Sequence, residues 1–204
     1  MIRQHNCARA LFGAVGLAAI LAVPASATRV DLLVYENADN ANTAVLDLWV
    51  DVLPSVGGVD FVFHNDGTDG VVTAVYFEGT SFAAALSGGN ISAESAGVDF
   101  SAGATPPNPA QPGFLFGGSW NGNLFAADAN SPAPQMGINH GGTETLTISF
   151  SLSGATVADV VAALNDGSFR IAQHVQSIGT GDFSVWTINP APGSVALLGL
   201  AGFA

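Results

Sequence analysis

The stretch Thr143–Ser153, TETLTISFSLS, decides the fold class. Leu146, Ile148, Phe150 and Leu152 fall on one side of an extended chain, and Thr145, Thr147, Ser149 and Ser151 on the other. A strict period of two with one apolar and one hydroxylated face is a half-buried strand of an antiparallel sheet. The segment Val45–Leu53 repeats the pattern, with Leu46, Leu48, Val50 and Val52 inward and Asp47, Trp49 and Asp51 outward. VDFVFH at 59–64 and VVTAVYFE at 71–78, joined by Asn65-Asp66-Gly67-Thr68-Asp69-Gly70, carry the signal of a hairpin. Further strands are expected over 29–36, 168–176 and 183–188. One helix is expected after Thr156, with Asp159 placed for a capping box, an apolar stripe of Val157, Val160, Val161 and Leu164, and Asn165-Asp166-Gly167 at its end. There is neither a βαβ rhythm nor an internal repeat. The expected fold is all-β: an antiparallel β-sandwich of Greek-key or jelly-roll type with one short helix.

Both ends read differently from this middle. Residues 1–27 have the three parts of a secretory signal: Arg3 and Arg9, an apolar run from Ala10 to Val23, and Pro24 followed by Ala25-Ser26-Ala27. The run is shorter than the roughly 20 residues of a membrane span, so cleavage after Ala27 is expected. Cys7, the single cysteine, lies ahead of that run, which leaves residues 28–204 without a thiol, a disulfide or a thiolate metal site. The chain has no lysine. Past Ala27, Arg29 and Arg170 stand against sixteen carboxylates, all between Asp31 and Asp182, for a formal charge of −14. Such a surface repels nucleic acid and anionic lipid, so membrane contact is expected only through the terminal segments.

Residues 28–189 are read as the sandwich domain. Within it, 103–142 is a long Pro-, Gly- and Asn-rich loop whose Phe114, Phe116, Trp120 and Phe125 should pack it down on the sheets. From Ile188 the chain continues INPAPGSVALLGLAGFA, with Pro190-Ala191-Pro192-Gly193 ahead of an apolar run to Ala204. This tail, residues 190–204, resembles the PEP-CTERM sorting signal of Gram-negative bacteria in a Pro-Ala-Pro-Gly variant. Three inner stretches resemble a recurrent domain of the same proteins: GVDFSAGATPPNPA (97–110), PAPQMGINHGGTETLTISFSL (132–152) and FRIAQHVQSIGTGDFSVW (169–186). The resemblance implies an exosortase-type processing enzyme as partner, a place at the outer surface or in the extracellular matrix, and an association with exopolysaccharide or biofilm. In that family the motif precedes a membrane helix and an arginine cluster. The run from Ser194 is short for the first and lacks the second, so the expectation is a truncated tail, with a degenerate signal as the alternative.

Catalytic chemistry needs a paired acid and base or an activated nucleophile. His64, His140 and His174 sit in no HExxH motif, and there is no GxSxG elbow. His174, within an alternating strand, reads as a semi-buried histidine bonded to backbone or a hydroxyl neighbour, and a catalytic role is not expected. Asp66 and Asp69 in the 65–70 turn are the candidate calcium ligands, although Asn, Asp and Gly are also what a tight turn requires. No other cofactor is expected. Asp47, Trp49 and Asp51 form the candidate sugar-binding face: an indole on the outer side of a strand, flanked by two carboxylates, can stack on a pyranose while the acids bond its hydroxyls. Two readings remain open, a non-enzymatic surface or matrix protein and a carbohydrate-binding module, the second with or without calcium.

Overall fold

A computed structural model describes residues 26–109 and 119–189, and these form an antiparallel β-sandwich. In chain order the strands are β1 (Thr28–Asp31), β2 (Leu33–Glu36), β3 (Leu48–Ser55), β4 (Gly58–Asn65), β5 (Val71–Glu78), β6 (Leu86–Glu94), β7 (Phe100–Ala102), β8 (Asn123–Ala129), β9 (Ile138–Asn139), β10 (Thr145–Leu152), β11 (Ile171–Ile178) and β12 (Phe183–Ile188). One sheet has five strands in the order β1-β3-β4-β10-β6. The other has seven, in the order β2-β12-β11-β5-β8-β7, with β9 pairing to β5. The described residues also hold two α-helices, α1 (Ala133–Met136) and α2 (Val157–Asp166), and three short 3-10 turns. Among the described residues no helix is long and apolar enough to cross a membrane.

The period-two residues fill the space between the sheets. Leu146, Ile148 and Phe150 of β10 are buried, as are Val50 and Val52 of β3 and Phe61 and Phe63 of β4. Phe77 of β5 is the centre of an aromatic cluster. Its ring lies 4.9 Å from Phe150, 5.0 Å from Phe61 and 5.8 Å from Phe63, mostly edge to face, the arrangement that aligns positive ring edges with negative faces. Helix α2 has the full capping box: Thr156 Oγ1 accepts from the Asp159 N–H and the Asp159 carboxylate accepts from the Thr156 N–H. Val160, Ala163 and Leu164 turn inward, and Gly167 ends the helix at φ +74°, the left-handed value that favours glycine.

Three expectations are corrected. VDFVFH and VVTAVYFE are not a hairpin, because β4 pairs with β3 and β10 while β5 pairs with β11, β8 and β9. The 65–70 turn is an arch that carries the chain from one sheet to the other. Asn65 fastens it from within, donating to the carbonyls of Gly70 and Ile138 and accepting from the Gly67 N–H. The actual hairpin is β3–β4, closed by Val56-Gly57 with Gly57 at φ +73°. Second, the expected strand over 29–36 breaks at Leu32 into β1 and β2, which join different sheets. Third, the stretch 103–142 is not a loop throughout: it contains β8, α1 and β9. Of the aromatics expected to pack it down, Trp120 is buried and Phe125 packs against the core, while Phe114 and Phe116 lie outside the described residues. Near the start of the stretch Tyr76 donates its hydroxyl to the Pro106 carbonyl at 2.9 Å. The signal sequence up to Ala25 and the tail 190–204 lie outside the described residues.

Candidate functional site

The outer face of the five-stranded sheet holds the candidate sugar platform. Register places Asp31 of β1 and His64 of β4 on either side of Trp49 in β3. The Arg29 guanidinium carbon lies 4.0 Å from the indole centroid, and the His64 ring stacks on the indole at 4.8 Å and 9°. Because β1 and β4 flank β3, the two groups reach the indole from opposite sides. Arg29 is held by Asp31 at 2.6 Å and Asp47 at 2.8 Å, and His64 Nε2 lies 3.2 Å from Asp51 Oδ2. Burial lowers the His64 pKa despite the opposing pull of Asp51. The expected platform is therefore occupied by protein groups, although His64 Nε2, close to Asp51, is buried without a well-formed hydrogen bond. Both carboxylates have partners within the protein, and the flat faces a pyranose would stack on are covered. Arg29 and His64 are the parts the strand pattern missed, since it shows which way Trp49 points and not what its cross-strand neighbours do.

The candidate calcium turn is likewise occupied from inside. Asp69 Oδ1 accepts from the Gly70 N–H and Oδ2 from the Gly179 N–H, each at 2.8 Å, and these bonds lower its pKa. Asp66 is exposed on the same arch. Among the described residues no three His, Cys, Asp or Glu groups converge to hold a metal ion. His140 is exposed. His174 stacks on Trp186 at 4.3 Å and 16° on the outer face of the other sheet, and burial lowers its pKa to about 4. Its partner is an indole ring, where sequence suggested backbone or a hydroxyl.

Two further features were not singled out in the sequence. The first is a buried ion pair: Arg170, 4 % exposed, binds both carboxylate oxygens of Glu78, 0 % exposed. Arg170 also donates to the Ser119 carbonyl at 2.9 Å, and Glu78 accepts from the backbone and side-chain amides of Asn121 at 2.9 and 3.1 Å. This pair ties segment 119–121 to the end of β5, an interior strand of the seven-stranded sheet. Charged residues 92 positions apart leave no local pattern to detect. The second is an open groove of about 350 Å³ at the far end of the five-stranded sheet, between the β3–β4 turn and β6. Val56, Asp60, Asn90, Ser92, Ser149 and Ser151 line it. Ser149 Oγ lies 2.7 Å from Asp60 Oδ1 and 2.6 Å from Ser92 Oγ. A hydroxyl carries one hydrogen, so Ser149 donates to the carboxylate and accepts from Ser92.

No family model matches the chain, and neither the curated proteins nor the solved structures contain a match to it.

Proposed function

We propose that this chain is an exported, non-enzymatic protein of the outer cell surface or extracellular matrix of a Gram-negative bacterium. In this reading a signal peptidase removes residues 1–27, the sandwich serves a structural, exopolysaccharide- or biofilm-associated role, and an exosortase-type enzyme acts on the tail that starts at Pro190. The observation that carries the proposal is where the sheets begin and end. Strand β1 starts at Thr28, the residue after Ala27, and β12 runs to Ile188, two residues before Pro190. Asn189, the last described residue, is anchored in the sandwich. It is 1 % exposed, donates to the Leu164 and Phe169 carbonyls and accepts from the Ile171 N–H. The described strands thus begin directly after Ala27 and end just before the Pro190–Gly193 motif, which is where the two processing sequences were read. The lack of cysteine in residues 28–204 fits an oxidising exterior, where a stray thiol invites cross-linking.

Deletion of residues 190–204 tests the sorting role in the native host. The truncated protein is expected to fold with an unchanged melting temperature and to be released to the medium. Retention at the surface, or loss of the fold, contradicts the proposal.

A further inference from the structure

We propose that the groove between the β3–β4 turn and β6 is a binding site for a segment of neutral saccharide chain. This goes beyond the address proposed above and stands without it. At about 350 Å³ the groove falls in the size range of small-ligand sites. Its polar groups are those that pair with sugar hydroxyls: the Asp60 carboxylate, the Asn90 amide, and the hydroxyls of Ser92 and Ser151. The relay from Ser92 through Ser149 to Asp60 Oδ1 fixes the serine rotamers and polarises each hydroxyl in turn. No lysine or arginine lines the groove, so an anionic chain would meet Asp60 with no compensating charge. One carboxylate is also a poor cage for calcium, which takes 6–8 oxygen ligands.

The second observation is apolar. Val56, at the hairpin tip, is the most exposed large hydrophobic side chain among the described residues, fully open to solvent at 108 %, and it lines this groove. A polar floor beside an exposed aliphatic edge suits the mixed C–H and O–H surface of a sugar ring. Ser149 and Ser151 stand on β10, which pairs with β4 on one side and, through a register shift between these two serines, with β6 on the other. The site is distinct from the Trp49 ladder. Asp60 and His64 share a strand face four residues apart, which separates the two sites by about 13 Å.

Titration of the whole chain with cellotetraose, maltotetraose and laminaritetraose, followed by amide NMR and calorimetry, tests the proposal. At least one of these neutral probes should shift the Gly57, Gly58 and Gly88 amides. Ser149→Ala and Asp60→Asn should each weaken that probe at least tenfold with melting temperatures unchanged, while Trp49→Phe leaves its affinity as it was. If Asp60→Asn fails to fold, Ser92→Ala carries the same expectation. The proposal is overturned if no neutral probe shifts these amides, if the shifts centre on Trp49 and His64, or if only polygalacturonate or calcium chloride produces them.

Discussion

His174 and Trp49 stand on the outer faces of opposite sheets, and each is packed ring on ring against a cross-strand neighbour: His174 on Trp186, Trp49 on His64. Alternation along one strand told correctly that Trp49 faces outward. It could not tell that Arg29 and His64 would cover it, because that depends on which strands lie alongside and in what register. The same packing makes His174 a measurable liability in acid. Its folded pKa of about 4 lies below the roughly 6.5 of an unfolded histidine. Between these values the unfolded chain binds a proton that the folded chain refuses, so stability falls as pH drops from about 6.5 to about 4. Replacing His174 with Phe keeps a ring on Trp186 and removes the titration. Urea denaturation at pH 7, 5.5 and 4.5 should show the variant gaining on the parent as pH falls. A difference that stays constant with pH contradicts this account of His174.

Strands with strong alternation, β3, β4 and β10, were legible from the sequence, and so was α2 with its capping box. Strand β6, LSGGNISAE, was not. It is an edge strand with small polar residues, two glycines and register shifts against β10, so it has no apolar period to read. The 65–70 arch was misread because Asn, Asp and Gly serve a change of sheet as well as a hairpin. What distinguishes β5 is that every one of its eight residues is buried, the mark of a strand covered on both faces. On its outer face ends Glu78, and the Arg170 pair there makes a sharp prediction. Removing Arg170 alone leaves a carboxylate buried without its cation, so Arg170→Met should cost about 3–5 kcal/mol. Adding Glu78→Leu removes the stranded charge and should recover most of that loss. Urea midpoints of the single and double variants decide it, and a double variant no more stable than Arg170→Met contradicts the reading.

Across the whole molecule the two arginines of the folded domain are already engaged, Arg29 with Asp31 and Asp47 and Arg170 with Glu78. Among the described residues no arginine pairs with the remaining carboxylates, most of which lie on the surface, so the −14 read from the sequence is a self-repelling charge. Salt screens that repulsion, with a Debye length of about 10 Å at 0.1 M and about 3 Å at 1 M. The melting temperature should therefore rise between low and high sodium chloride. A thiol reductant should leave it unchanged, since no disulfide can form after Ala27. A melting point indifferent to salt contradicts the charge argument. The central claim is that the sandwich is a processed, exported domain set between two cleaved or sorted ends, and its most direct test is the intact mass of the protein recovered from the surface of its native host. The account predicts a chain that starts at Thr28 and has lost the tail beyond the Pro190–Gly193 motif. A surface protein that still begins at Met1 or Ile2 and carries residues 190–204 intact contradicts it.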